Sequence, residues 1–305
     1  MQTKTFLVMK RIACIIVMLV FLAAPAFATF HLMQIEQVIG GVGGDSTAQA
    51  IQLRMRATGE NHVSLAKLVA FDATGSNAIT ILDLTNDVAN STVGSRVLIV
   101  SSNFVNYASP SMAPDFILTT PIPSTYLPAG RLAWEDDTGT IIYWSLSWGG
   151  TSYTGATDGS TLNDNDGNFG PAFAGPLPST STSALLFTNT ATAKSSSNIV
   201  DYVVTAGAAT FTNNAGAGFV TVSKPRITAI TRESDNIRIT WTTAASRTNF
   251  VQVTAGDASG SFNNNFTDIG SAIVVSGSGQ VGTNYLDVGG ATNTPSRFYR
   301  VLLVP

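Results

Sequence analysis

Short runs in which apolar and polar residues alternate recur along the chain, each bounded by Gly, Pro, Asn, Ser or Thr. A period of two places one face of a strand on a core and the other toward solvent. Ile51-Gln52-Leu53-Arg54-Met55-Arg56 keeps this period without a break, as does Ile237-Arg238-Ile239-Thr240-Trp241-Thr242. Strands are predicted over 50–56, 67–71, 79–84, 96–101, 130–135, 141–148, 184–187, 199–205, 237–242, 250–254, 271–275 and 297–304. The 3.6-residue helical period is scarce, while β-branched residues are common. This pattern predicts an all-β protein made of two antiparallel β-sandwich domains.

The N-terminus departs from the pattern. Lys4, Lys10 and Arg11 precede an uncharged apolar run over 12–24, Pro25 breaks it, and Ala26-Phe27-Ala28 supplies small residues before a cleavage point. This is the layout of a secretory signal peptide, predicted over 1–28. The apolar run is shorter than the ~20 residues a spanning helix needs. Localisation is therefore expected to be secreted or in the cell envelope, with no membrane span after cleavage. The only cysteine, Cys14, would leave with the signal, so the exported chain must be held by its cores and not by disulfides.

Composition sharpens this picture. Charged residues make up 11% of the chain, against ~25% in ordinary soluble domains. Neutral polar residues take their place: 38 Thr, 29 Ser, 27 Gly and 20 Asn. So few cations exclude a nucleic-acid partner of the usual basic kind. Residues 29–305 carry 13 basic against 19 acidic groups, a net charge of −6. The charge divides unevenly at Ser223-Lys224-Pro225. Residues 29–223 carry 6 basic and 14 acidic groups (−8), and residues 224–305 carry 7 and 5 (+2). A domain boundary is expected there, with Pro225 restricting the linker.

Two resemblances follow from particular residues. Trp241 on an early strand and Tyr299 on a late one, with the stretch 225–242 (PRITAITRESDNIRITWT) as the first two strands, resemble a fibronectin type III domain. The resemblance implies that Trp241 and Tyr299 fill a core, and the strand that usually follows the Tyr strand is missing. The ending RFYRVLLVP also resembles a β module that closes many exported bacterial proteins. In the first unit, the alternating 51–56 strand, a short apolar strand with Leu65, Leu68 and Val69, and Leu127-Pro128-Ala129-Gly130 before another strand resemble bacterial lamin-tail-like domains. These are immunoglobulin-like sandwiches that act as accessory modules of exported proteins. The Gly-Trp expected ahead of the early apolar strand is absent.

Several constellations bear on chemistry. Asp137-Thr138-Gly139 is the aspartic-protease tripeptide, but a second copy for the required carboxylate pair is missing, and a hairpin turn between 130–135 and 141–148 accounts for it. The segment 154–182 is the longest stretch without strand signals, so it is either functional or disordered. Within it, Asp164, Asp166 and Asn168 offer oxygen ligands at alternate positions, which suits Ca²⁺. The EF-hand spacing fails, because Leu162 and Phe173 fall where ligands are required. A polar turn-rich loop is the alternative. No other metal, and no cofactor, is expected.

Ile142, Trp144, Leu146 and Trp148 share one strand face, with Tyr153 close by: a core, or an aromatic platform for sugar rings. His31 and His62 are the only histidines, and no Gly-x-Ser-x-Gly elbow accompanies them. Gly40-Gly41-Val42-Gly43-Gly44 lacks both the phosphate-loop Lys and the dinucleotide-binding spacing. The expected function is a non-catalytic exported protein with a structural, adhesive or binding role, its partner a surface polysaccharide or protein. The alternative is an exported hydrolase or carbohydrate-binding protein that uses the 154–182 loop and nearby aromatics.

Overall fold

The strand signals assemble into an almost wholly β architecture. The computed structural model describes residues 29–110, 112–162, 167–245, 247–276, 280–292 and 295–304, so the expected signal segment 1–28 lies outside the described residues. A six-stranded sheet contains β1 (Met33–Ile39), β2 (Ala50–Met55), β5 (Arg96–Val100), β7 (Phe116–Ile117), β10 (Leu185–Phe187) and β11 (Tyr202–Val204), ordered β11-β10-β1-β2-β5-β7. Its pairs are antiparallel except β5–β7. Facing it is a four-stranded antiparallel sheet of β3 (Ala66–Phe71), β4 (Ala78–Asp83), β8 (Gly130–Asp136) and β9 (Ile142–Trp148), ordered β4-β3-β8-β9. Between them, Ile35, Leu53, Met55 and Val97 pack against Leu68, Leu132, Trp134, Trp144 and Trp148.

A third layer closes the opposite face of the six-stranded sheet. It consists of β6 (Ala108–Ser109), β12 (Thr210–Thr212) and β13 (Gly218–Thr221). Phe211 and Phe219 from this layer join Ile39, Ala50, Leu98 and Val100 in a second core. The central sheet is therefore buried on both sides. Gln52, which the alternation assigns to solvent, is buried, as is β1 along its length. The 33–39 strand escaped the sequence analysis because a bulge between Ile35 and Gln37 interrupts its period. The predicted strand 199–205 begins instead as a helical turn, α1 (Asn198–Asp201), and only its second half joins the sheet as β11.

Strands β14 (Arg226–Glu233), β15 (Asn236–Ala244) and β19 (Gln280–Asp287) form one sheet, ordered β14-β15-β19. β16 (Thr248–Gly256) pairs β17 (Thr267–Asp268) and β18 (Ile273–Val274) on one side and β20 (Ser296–Val304) on the other. Their core is thin. Ile239, Trp241 and Val251 are its buried centre, and Ile227, Tyr285, Tyr299 and Val301 pack around it only partly buried. Trp241 is fully buried, with its indole N–H donating to Asn249 Oδ1 (3.3 Å). Tyr299 is partly exposed and its hydroxyl donates to Asp287 Oδ2 (2.7 Å). Among the described residues, no helix is long and apolar enough to cross a membrane.

Candidate functional site

The 154–182 segment carries no strand signal in the sequence, yet it is firmly packed. Its apolar residues anchor it. Phe169 is fully buried, with its ring 5.2 Å from that of Trp144, and Leu177 is buried while its N–H donates to Leu127 O (2.9 Å). Phe173 N–H donates to Ser147 O (2.9 Å) and forms a parallel bridge with Trp148. The buried Arg131 guanidinium holds the segment's start, donating to Ala156 O (3.1 Å) and Asp158 O (2.9 Å), with Ser145 Oγ at 2.8 Å. The segment is thus a strap along the outer edge of β9, where it covers backbone groups that an edge strand would otherwise expose.

Of the calcium candidates, Asp164 and Asp166 lie outside the described residues. Asn168 forms an antiparallel bridge with Asp158, and its Oδ1 accepts the Gly170 N–H (3.2 Å), the work of a turn residue. Among the described residues, no three His, Cys, Asp or Glu side chains gather where they could hold a metal ion.

The aromatic face of β9 is core. Trp144 and Trp148 are both 0% exposed, and so is Trp134 on β8. Each indole N–H has a partner: Phe30 O for Trp134, Tyr202 Oη for Trp144 and Tyr126 O for Trp148, all at 2.9 Å. The other face of β9 is buried too, because Phe30 and His31 cover Tyr143 while Arg131 and Asn198 cover Ser145 and Ser147. Tyr153 is buried and donates to Ala156 O (2.8 Å). A sugar ring has no access to these aromatics.

The Asp-Thr-Gly tripeptide sits in the β8–β9 hairpin, but Asp136, not Asp137, organises the turn. Asp136 Oδ1 accepts the Ile141 N–H (2.7 Å), the Thr138 hydroxyl bonds its other oxygen, and Gly139 takes φ +71°. Burial raises the Asp136 pKa, but these bonds outweigh it and hold the carboxyl below its usual range. The same device recurs twice. Asp72 accepts the N–H groups of Thr74 and Ser76, with Gly75 at φ +73°. Asp257 accepts those of Ser259 and Ser261, with Gly260 at φ +84°. The repeated spacing Asp-x-Ser/Thr-Gly-Ser/Thr was the signal for a turn motif, which three copies would have revealed.

Glu135, beside this turn, is displaced toward neutrality. Glu135 on β8 is 4% exposed, and burial pushes its pKa up to about 7 against the pull of Lys67 and Arg131. Lys67 spends a hydrogen bond on Asp137 O (2.9 Å).

The histidines are placed apart. His31 packs against Phe30 and Tyr143, and burial lowers its pKa. His62 is half-exposed and pairs through Nδ1 with Asp87 Oδ2 (2.6 Å). Ser64 turns to Asp87 as well, its N–H donating to Oδ1 (3.1 Å). Burial raises the Asp87 pKa, and the Ser64 bonds more than reverse that. The hydroxyl thus serves the carboxylate and not the imidazole, which is not the arrangement of a Ser-His nucleophile.

The largest polar cluster escaped sequence reasoning altogether. Glu36, buried on the outer face of the central sheet, accepts from Arg54 Nη1 (3.0 Å), Arg96 Nε (2.7 Å) and Gln52 Nε2 (2.8 Å). Arg54 also donates to Gln34 Oε1 (2.6 and 2.8 Å). Register brings these residues together from three strands: Arg54 lies opposite Gln34 on one side and Arg96 on the other. The set is saturated within the fold, as a structural ion pair requires.

What the fold leaves open is apolar edge. Ile199, Val200, Val203 and Val204 are 43–68% exposed around β11, the end of the central sheet. In the β14-β15-β19 sheet, β14 is exposed almost throughout, with Ile230 54% exposed. β20 has β16 on one side and no described strand on the other, and its inward residues Tyr299, Val301 and Leu303 stay partly exposed. No protein-family model, no curated protein and no solved structure matches this chain.

Proposed function

We propose that this is an exported, non-catalytic protein with a structural, adhesive or binding role at the cell surface or outside the cell. In this reading a lamin-tail-like unit over 29–223 precedes a fibronectin-like module over 224–305. The strand order supports the second part: β14-β15-β19 opposite β16-β20 corresponds to strands A-B-E and C-F of an immunoglobulin-type sandwich. In such a sandwich the F strand lies between C and G.

The observation that carries the role is the open edge of β20, flanked by partly exposed Tyr299, Val301 and Leu303. An unpaired edge with few charges is a template for strand addition. Other copies of the chain, or extended segments of surface proteins, are the partners it would take. The burial of Trp144 and Trp148 counts against the competing reading, a hydrolase or carbohydrate-binding protein that uses the 154–182 loop.

Sedimentation of the secreted chain over a hundredfold concentration range tests the self-associating form. Weight-average mass is expected to rise with concentration and to fall back in Leu302→Lys, which places a charge on the β20 edge strand. A strictly monomeric profile at high concentration, unchanged by the substitution, would overturn it.

A further inference from the structure

The seam between the two units holds an arrangement that the strand edges do not explain. Arg247, just ahead of β16, reaches across and donates from Nη1 to Ser109 Oγ on β6 (2.9 Å). Its Nε is buried and has no hydrogen-bond partner. No carboxylate pairs with this guanidinium among the described residues. The edge formed by Nε and Nη2 is therefore unused, and that edge presents two coplanar N–H donors with the spacing of two oxygens of a carboxylate or phosphate.

Arg247 lines a cavity of about 200 Å³ together with Thr182, Ser223, Val220 and Gln280. A second cavity of about 330 Å³ shares Thr182, Ser223 and Gln280 with the first and adds Lys224 and Arg226. Among the described residues, neither cavity is lined by an acidic side chain. Lys224 Nζ lies 4.3 Å from the centroid of the Tyr107 ring. The carboxylate behind that ring, Asp45, is engaged by the Tyr107 hydroxyl (2.6 Å), Asn103 (2.8 Å) and Thr47. Three cations thus line a cleft made of two adjoining cavities, Arg247 in the first and Lys224 and Arg226 in the second, in a chain whose net charge is −3.

We propose that this cleft binds an oxyanion group (carboxylate, sulfate or phosphate) on the Nε–Nη2 edge of Arg247. Lys224 and Arg226 add positive field, and the hydroxyls of Thr182 and Ser223 with the Gln280 amide take the ligand's remaining polar groups. The two units contribute jointly, so an occupied cleft ties them together. Oxyanion binding here does not require strand addition at β20.

The test is calorimetric titration and thermal shift on the full secreted chain. The probes are sodium glucuronate, sodium sulfate and sodium phosphate, each against sodium chloride at matched ionic strength. At least one oxyanion is expected to bind saturably and to raise the melting temperature as ligand linkage requires. Arg247→Gln should weaken that binding about 30-fold or more. Arg247→Lys, which keeps the charge but not the planar edge, should also weaken it, while Arg232→Gln on β14 should not. Response to glucuronate alone assigns a carboxylate, and response to sulfate and phosphate assigns a tetrahedral oxyanion. No saturable binding by any probe, or binding as tight as wild type by folded Arg247→Gln and Arg247→Lys, would overturn the proposal. In that case Arg247 is only a staple between the units, and its variants change melting temperature without changing the response to anions.

Discussion

Glu135 offers a sharp test of how burial shapes this fold. The perturbation is Glu135→Gln, a near-isosteric replacement that mimics the protonated carboxyl. Burial raises the pKa from 4.5 to about 7, with Lys67, then Arg131, pulling it back and Asp136 pushing it further. At 1.36 kcal/mol per pH unit this displacement is worth at most about 3.4 kcal/mol, and with solvent screening about 1–3 kcal/mol. The direction follows from proton uptake. Between pH 4.5 and about 7 the folded protein holds a proton on Glu135 that the unfolded chain has released, so stability falls as pH rises through that window. Above about pH 7 both states are ionised and the full cost is present. Chemical denaturation of wild type and variant at half-unit steps from pH 4 to 8.5 measures it. The difference between the two curves cancels other titrating groups that the substitution leaves alone. The variant should gain about 1–3 kcal/mol relative to wild type between pH 4.5 and 7.5. A difference flat to within about 0.5 kcal/mol would refute the reasoning, because Glu135 would then be as well solvated folded as unfolded.

Other consequences follow from single contacts. Glu36→Gln removes the charge that holds Arg54 and Arg96, and urea unfolding should show a loss of about 3–5 kcal/mol; a loss below about 1 kcal/mol would mean the pair is solvated. Tyr202→Phe takes away the acceptor of the Trp144 indole N–H, with an expected cost of about 1–3 kcal/mol in the same assay. Phe169→Ala empties the pocket beside Trp144, which should cost about 3–5 kcal/mol and open the 154–182 strap to limited proteolysis ahead of the rest of the chain. Titration with Ca²⁺ tests the 154–182 segment: an unchanged melting temperature is expected if Asn168 serves only its own turn, and a saturable rise would support the calcium reading.

The alternating runs determined the fold class and most of the strands, because a half-buried strand writes its two faces into the chain with period two. They placed Ile239 and Trp241 in a core and located the 154–182 interval between strands. Alternation failed where a strand is covered on both sides. β1, β2 and β9 carry polar residues on their second faces, yet those faces are buried beneath other layers and the strap. Nothing in a local pattern distinguishes a Gln facing water from Gln52 bonded to Glu36.

Every arrangement with chemical interest is likewise non-local. Glu36 meets Arg96 across 60 positions, and Arg247 meets Ser109 across 138. Residue identity supplied the charges and hydrogen-bonding groups. Only the pairing and packing of the strands decided which of them were satisfied and that Arg247 Nε was left without a hydrogen-bond partner. Burial and partnership depend on what arrives from elsewhere in the chain, and that is a property of the tertiary structure alone.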